Sequence, residues 1–179
     1  MNRRAMLQTI GLQAVGAAVS TLALPRRLAA GTDSSRWKTA IGLNGFMSSS
    51  HDYKQTFPIW EVLDFAGGKG FDGVELVEGW PMGGYPQSSQ TTRIHALKRL
   101  YDSYGLQIFS LQMGVAEAFD PSRDVRRNWL TKFRERASFA EQVGCDCIGM
   151  WPGGPLRDQT LAQAIERLAE SFSEAGKIA

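Results

Sequence analysis

Apolar strand-like segments alternate with longer helical segments along most of this chain, and this alternation constrains the fold more than any other feature. Strands are predicted at residues 38–44, 73–78, 106–113 and 145–151, so one begins about every 30 to 40 residues. A predicted helix follows each strand. Such alternation implies parallel strands that are joined by right-handed crossover connections. The sequence therefore predicts an α/β fold with a parallel sheet.

The number and length of these units predict the front half of a (β/α)8 TIM barrel. A complete barrel of this kind usually needs about 250 residues. The chain has 179 residues and reaches Ala179 within the fourth predicted helix. We therefore expect only about the first four βα units, over residues 38–179, after a polar linker at residues 31–37. Were the polypeptide to end at Ala179, exposed strand edges would make it aggregate or stay molten.

The first 30 residues have the three parts of an export signal. Arg3 and Arg4 form a charged start, an apolar run covers residues 10–24, and two alanines follow at positions 29 and 30. The run is shorter than the roughly twenty apolar residues that a membrane span needs. This pattern predicts a removable signal peptide at residues 1–30.

The charged start resembles a twin-arginine (Tat) export signal. Arg3 and Arg4 are followed, after one spacer residue, by Met6 and Leu7, whereas Gln8 departs from the usual Lys. The resemblance implies export to the bacterial periplasm and contact with the Tat machinery. An ordinary secretory signal and an uncleaved anchor are the alternatives.

Charge is distributed differently in the rest of the chain. The formal net charge of the whole chain is +2, and residues 1–30 carry four arginines and no acidic residue. Subtracting those four positive charges leaves −2 for the remainder, where basic residues are interleaved with acidic ones. A nucleic-acid-binding protein would instead carry a basic stripe, so we expect no nucleic-acid partner.

Residue types that bind metals or form disulfides are few and scattered. Cys145 and Cys147 lie two residues apart on the fourth predicted strand. One such pair gives neither a disulfide framework nor a zinc cluster, and we expect two small apolar core residues. Of the two histidines, His95 is expected to be solvated, and His51 lies in the first βα loop. No group of His, Asp and Glu has the spacing of metal ligands.

Alternate residues of a parallel barrel strand face the barrel axis and the surrounding helices. One phase of the predicted strands holds large apolar side chains, which we expect to face the helices: Ile41, Leu43, Val74, Leu76, Phe109, Leu111, Ile148 and Met150. The opposite phase is small or polar and is expected to face the axis: Gly42, Asn44, Gly73, Glu75, Ser110, Gln112, Cys147, Gly149 and Trp151. Polar groups there are costly unless they are paired or line a wet site.

Part of the axis-facing phase lies near the carboxyl ends of the strands, where barrel active sites are found. Our candidate substrate-binding residues are Asn44, Glu75, Gln112 and Trp151. A polar pocket with an aromatic wall suits a hydroxyl-rich ligand. The alternative is an internal layer of satisfied hydrogen bonds. Glu78 and Trp80 either line the same pocket or are solvated loop residues, and we assign no catalytic residue.

Four short sequence segments resemble those of the xylose isomerase-like TIM barrel superfamily. They are Ile-Gly-Leu-Asn at residues 41–44, Gly-Phe-Asp-Gly-Val-Glu-Leu at 70–76, Tyr-Gly-Leu-Gln-Ile at 104–108 and Ala-Glu-Gln-Val-Gly-Cys at 140–145. Their order and spacing are similar to those of the sugar phosphate isomerase/epimerase group. The resemblance extends from Lys38 to the last residue.

The resemblance implies a metal-dependent isomerase or epimerase that moves protons between adjacent carbons of a sugar, or of a related polyol or keto-sugar. Such enzymes hold one divalent cation, Mn, Mg or Co, through ligands on the last four strands. We expect those strands to be missing here, so we assign no metal ligand and expect the fragment alone to be inactive. The implied partners are a small-molecule carbohydrate substrate and the Tat machinery, and a homo-oligomer is left open.

Three other interpretations stay open. An endonuclease IV-like member of the same superfamily would act on DNA, but it would need cations that neutralise phosphates. A non-catalytic periplasmic sugar-binding protein would use the same pocket. A self-contained, doubly wound domain of four units would need covered edge strands.

Overall fold

Four parallel strands form one sheet in the order β1–β2–β3–β4. They are β1 (Ala40–Gly42), β2 (Gly73–Val77), β3 (Gln107–Met113) and β4 (Ile148–Met150). Each strand pairs with the next one along the chain, and a helix lies in every interval. This arrangement confirms the predicted α/β fold with four parallel strands, which is that of a partial TIM barrel.

The computed structural model describes residues 37–78, 85–114, 116–151 and 153–179. The predicted signal peptide, nearly all of the predicted linker and Trp80 lie outside these residues. Within the described part of the chain, no helix is long and apolar enough to span a membrane.

Five helices accompany the described strands. They are α1 (Asn44–Asp52), α2 (Ile59–Gly68), α3 (Thr91–Ser103), α4 (Arg123–Val143) and α5 (Leu161–Ala175). The sequence pattern predicts a helix from about Arg123 to Val143, and α4 has these bounds. Gly144 adopts a left-handed backbone conformation (φ 71°) that ends the helix. Thr160 begins α5 through a capping box with Gln163.

Helix α1 corrects the prediction that His51 lies in a loop, because residues 44–52 are helical. Its sequence is rich in serine and has no apolar period, so local pattern does not indicate a helix. A tertiary contact holds it instead: the Phe46 ring meets the Phe57 ring edge to face, with the centroids 5.7 Å apart. The Ser49 hydroxyl also donates to the Gly45 carbonyl within the helix (2.8 Å).

The helix-facing side of the sheet forms the main core. Residues of the strands, the helices and the turn after β1 are fully buried there: Leu43, Val74, Leu76, Leu111, Leu63, Ile94, Tyr101 and Phe139. Burying each aliphatic side chain of this size contributes roughly 1.5–3 kcal/mol. This core fixes which face of each strand is left for the barrel axis.

An irregularity in β3 corrects the predicted orientation of Phe109. Val74 pairs with Ile108, whereas Glu75 pairs with Ser110, so Phe109 is an extra residue in the register. Ile108 joins the core in its place. The Phe109 ring turns to the axis side, where a Cβ atom on Gly73 would lie 2.7 Å from it. Such a bulge shifts the side-chain phase by one residue, which a strict alternation cannot predict.

Helix α5 packs through only part of the apolar stripe that the sequence predicts for it, Leu161, Ile165, Leu168 and Phe172. Leu168 packs against the smaller core cluster, and the Phe172 ring stacks on Trp129 with the centroids 6.0 Å apart. The small residues Ala164, Ser171 and Ala175 are buried, whereas Leu161 is 65% exposed and Ile165 is 56% exposed. The Ser171 hydroxyl donates to the carbonyl oxygen of Ala118, and small side chains allow this close approach. The amino-terminal part of the stripe, Leu161 and Ile165, is therefore left open among the residues that the structure describes.

Candidate functional site

Glu75 occupies the middle of the axis-facing side of the sheet. It pairs with Gly42 of β1 on one side and with Ser110 of β3 on the other. The Ser110 hydroxyl donates to Oε2 of Glu75 (2.8 Å). On the opposite side, a Cβ atom placed on Gly42 would lie 3.6 Å from Oε1. Among the described residues, Oε1 of Glu75 receives no hydrogen bond, so one carboxylate oxygen is held and the other is open.

Gln112 lies one step further toward the carboxyl ends of the strands. It pairs with Val77 of β2 and with Gly149 of β4. Two residues along a strand span about 6.6 Å, so Gln112 and Glu75 lie in successive layers rather than at one level. Val77 is an apolar member of the Gln112 layer and is 4% exposed. The structure thus brings Gln112 and Glu75 to the same face, with Glu75 the deeper residue.

Asn44 is the first residue of α1. This corrects the prediction that it is the last residue of the first strand. The neighbouring Leu43 N–H donates to the Glu75 carbonyl (3.2 Å), which fixes where the chain leaves β1. The side-chain oxygen Oδ1 of Asn44 is buried and has no hydrogen-bond partner in the described chain. A buried acceptor of this kind normally finds a donor in the protein, in water or in a ligand.

Trp151 directly follows β4 and is 56% exposed. This exposed position at the carboxyl end of the outermost described strand suits a residue that lines a pocket better than it suits a core residue. Asn44 and Trp151 follow β1 and β4, the two edge strands, while Glu75 and Gln112 lie on the central strands. The substrate-binding role of all four residues stays a prediction.

Two loops at the carboxyl ends of β3 and β4 are tied together by polar contacts that the sequence did not predict. The nearly buried Asp120 carboxylate pairs with Arg157 (3.2 Å). The Gln159 side chain donates to the carbonyl of Phe119 (3.1 Å). These contacts join the loop that follows Trp151 to the loop after β3. No local motif announces them, because the partners are separated by 37 and 40 residues along the chain.

Glu78 is held by protein contacts on both carboxylate oxygens and is 25% exposed. Its Oε1 pairs with the guanidinium group of Arg136 on α4, and its Oε2 accepts from the Gly114 N–H (3.0 Å). Nearby, the Tyr85 hydroxyl donates to the carbonyl of Val77, and burial raises the pKa of Tyr85 far above its usual range. Tyr85 therefore stays a protonated donor that anchors the loop after β2.

The two cysteines differ in environment, which corrects the prediction that both are core residues. Both precede β4 rather than lying on it. Cys145 is buried and its thiol donates to the Cys147 carbonyl (3.2 Å), whereas Cys147 is exposed. Burial raises the pKa of the Cys145 thiol, which favours its neutral form.

A cavity of about 770 Å³ lies on the helix side of the sheet, away from the candidate residues. Phe133, Cys145, Ile148 and Phe172 are among its lining residues. Its walls are the apolar side of β4 and the facing sides of α4 and α5, so it is a gap in packing rather than part of the axis-facing surface.

The described residues do not form a metal site. Nowhere among them do three His, Cys, Asp or Glu side chains lie close enough to share an ion. The imidazole of His51 is 87% exposed and contacts the adjacent Asp52 (2.7 Å). His95 is exposed on α3, as predicted. We therefore assign no metal-dependent step to this part of the chain.

Comparison with known proteins agrees with the fold. A family model described as Xylose isomerase-like TIM barrel matches residues 63–179. No curated protein matches the chain.

Several solved structures are similar to the chain. D-psicose 3-epimerase from Clostridium cellulolyticum H10, solved with D-tagatose, has a TM-score of 0.61 at 21% identity, over 79% of this chain and 48% of that one. The 3-keto-D-glucoside 4-epimerase YcjR from E. coli has a TM-score of 0.57 at 18% identity, over 80% and 52%. A sugar phosphate isomerase/epimerase from Parabacteroides distasonis has 0.55 at 18%, over 78% and 50%. The chain spans about half the length of these structures, and at such identities the likeness concerns the fold.

Proposed function

We propose that this chain, which belongs to the xylose isomerase-like TIM barrel family, supplies one wall of the active site of a sugar isomerase or epimerase. The observation that carries the proposal is the polar face formed by Glu75, Ser110 and Gln112 on the axis side of the sheet. In barrel enzymes the active site opens at the carboxyl ends of the strands. Neighbours of the same fold include two named epimerases of sugars.

The residues of this wall would bind and orient the sugar rather than transfer its proton. The open Oε1 of Glu75 offers a hydrogen-bond acceptor to a sugar hydroxyl. The side-chain amide of Gln112 offers both a donor and an acceptor. The exposed ring of Trp151 offers an apolar face for the C–H side of a sugar ring. Holding a substrate in this way lowers the entropic part of the reaction barrier.

The chemical step in the proposal is proton transfer between adjacent carbons, with a divalent ion of Mn, Mg or Co as the implied cofactor. When bound, such an ion would make the C–H bond next to a carbonyl more acidic. The described residues offer no ligand cluster for it, so we place its ligands and the acid and base outside them. Nothing in the roles of Glu75 or Gln112 depends on the ion.

Deuterium exchange tests this proposal in the full-length protein. We would incubate it with free ketohexoses in D2O, with Mn²⁺, Mg²⁺ or Co²⁺ and after chelation, and follow the products by NMR. Proton transfer through the solvent places deuterium on the carbon beside the carbonyl and gives a new sugar. Absence of exchange and of product with every sugar and ion would overturn the proposal.

A matched pair of variants links this activity to the wall. Gln112→Leu should raise KM roughly tenfold or more, because a hydrogen bond to substrate is lost. Gln107→Leu changes the same residue type at the amino end of β3, where Gln107 is exposed and accepts from Lys38. It should leave KM unchanged. Equal effects of the two substitutions would argue against the proposed wall.

We also propose that the protein is exported by the Tat pathway to the periplasm, on the basis of residues 1–30. Replacing Arg3 and Arg4 by Lys keeps the charge and should stop export, as measured by cell fractionation. Replacing Arg26 and Arg27 by Lys is the matched control and should leave export intact. Equal export of both variants would rule out a twin-arginine signal.

A further inference from the structure

We infer that Oε1 of Glu75 accepts a hydrogen bond from a hydroxyl of an uncharged carbohydrate, and that this wall disfavours an anionic sugar such as a sugar phosphate. The inference rests on the proposed function, since it names the substrate class for the same site. Three features carry it: the one-sided pairing of Glu75, the open position beside it at Gly42, and the charge of the axis-facing residues.

Ser110 is the positioning residue for this carboxylate. Its hydroxyl donates to Oε2 of Glu75 (2.8 Å) from the neighbouring strand. A carboxylate offers acceptor sites on two oxygens, so occupation of Oε2 leaves Oε1 directed to the other side. Because Ser110 and Glu75 both lie on paired strands rather than on loops, the direction of Oε1 is set by the sheet.

Gly42 leaves room for the ligand beside Oε1. It pairs with Glu75 on β1, and a Cβ atom at this position would lie 3.6 Å from Oε1. That distance is an ordinary contact, so the fold tolerates a methyl group there. A hydroxyl that donates to a carboxylate lies about 2.5–2.7 Å from it, and such a methyl group would compete for the same space. A glycine within a strand weakens that strand. Gly42 is therefore unfavourable for folding, but it leaves space for a ligand to reach Oε1.

The charge of the wall selects against anions. Among the axis-facing residues of the four described strands, Glu75 is the one with a formal charge. Lys38 precedes β1 at the amino end of the sheet, donates to Gln107 (3.1 Å) and lies over the Phe109 ring. A phosphate beside Glu75 would therefore meet a negative charge without a compensating cation from this wall, which is unfavourable at low dielectric.

Two glycine substitutions test the opening. In the full-length protein, Gly42→Ala should keep or raise Tm, while the affinity for D-fructose and D-tagatose, measured by calorimetry, falls roughly tenfold or more. Gly45→Ala is the matched control, because a Cβ atom there would meet nothing within 4 Å. It should leave the affinity unchanged. Equal affinity of the Gly42→Ala variant and the wild type would overturn the inference.

Ser110 gives a second test with a rescue. Ser110→Ala should weaken binding of the same free ketoses, whereas Ser110→Thr retains the hydroxyl donor and should restore most of the affinity. Failure of Thr to bind better than Ala, with both variants folded by circular dichroism, would remove the positioning role.

The charge claim is tested by pairing D-fructose with D-fructose 6-phosphate. The wild type should bind D-fructose more tightly than D-fructose 6-phosphate. Glu75→Gln should weaken binding of D-fructose and strengthen binding of the phosphate, so that the two affinities become more similar. A preference of the wild type for the phosphate, or an unchanged ratio in Glu75→Gln, would overturn the inference. If the wild type binds neither form of any ketose, the proposed function itself fails, so the two failures are distinguishable.

Discussion

Glu75 is held asymmetrically, and this asymmetry separates a ligand contact from a purely structural role. A satisfied internal layer would leave neither carboxylate oxygen open, because an unpaired charge on the axis side is costly. The Ser110 hydroxyl donates to Oε2 and not to Oε1. The residue next to Oε1 is Gly42, which has no side chain. The buried and unpartnered Oδ1 of Asn44 is a second acceptor near the same end of β1.

Glu135 offers a pH-dependent test of how the loop before α3 is anchored. Its carboxylate accepts from the Ser88 hydroxyl (2.6 Å) and from the Ser88 N–H, and these hydrogen bonds lower the pKa of Glu135. A lowered folded-state pKa gives stability that is present above the unfolded-state pKa of about 4.3 and is lost as pH falls through the folded-state value.

Glu135→Gln should therefore lower Tm at pH 7 by roughly 2–4 °C. The difference from the wild type should shrink as the pH falls from about 4.3 through the lowered folded-state pKa, because the wild-type carboxylate is then neutralised as well. Glu141→Gln, an exposed substitution on the same helix, should change Tm at neither pH. A difference that stays constant down to pH 3 would show that the hydrogen bonds to Ser88 do not depend on the charge.

Helices and strands with a strong local pattern were predictable, and those set by distant contacts were not. The long apolar period of α4 and the glycine after it gave its bounds from sequence. Helix α1 lacks such a period and depends on the contact between Phe46 and Phe57. The phase of Glu75 and Gln112 followed from alternation, but the extra residue at Phe109 depends on how β3 pairs with β2.

Gly73→Ala tests the bulge in β3. A Cβ atom at Gly73 would clash with the carbonyl oxygen of Gln107 and lie 2.7 Å from the Phe109 ring. Because a backbone oxygen cannot rotate away, we expect the free energy of unfolding to fall by roughly 1–3 kcal/mol, measured by urea denaturation.

Gly149→Ala is the control for this change, since its Cβ atom would lie 3.9 Å from the nearest atom, the Leu111 carbonyl oxygen. It should change the free energy of unfolding little. Equal losses of unfolding free energy in Gly73→Ala and Gly149→Ala would mean that the stability of the sheet does not depend on the close approach of Phe109 and Gln107 to Gly73.

The four described strands leave β1 and β4 with one unpaired edge each, and both flanking helices expose apolar residues. Trp60 and Phe65 are exposed on α2, and Leu161 and Ile165 are exposed on α5. Unpaired edges and open apolar surfaces favour aggregation. The chain spans about half the length of the similar structures, and further βα units of a closed barrel would cover these surfaces.

Residues 37–179, produced alone, should aggregate or melt without a cooperative transition. Ile165→Lys should reduce that aggregation by placing a charge on the open stripe, but it should destabilise the full-length protein if the stripe is covered there. Light scattering and thermal melts measure both effects. A monomeric fragment with a sharp melt would contradict this expectation.

The most direct measurement is a structure of the full-length protein with a bound free ketose. The account predicts a sugar hydroxyl within hydrogen-bonding distance of Oε1 of Glu75, a second polar contact at Gln112 and the Trp151 ring against the sugar. A ketose bound away from the axis-facing side of the sheet, with Oε1 of Glu75 contacting only protein groups, would contradict it.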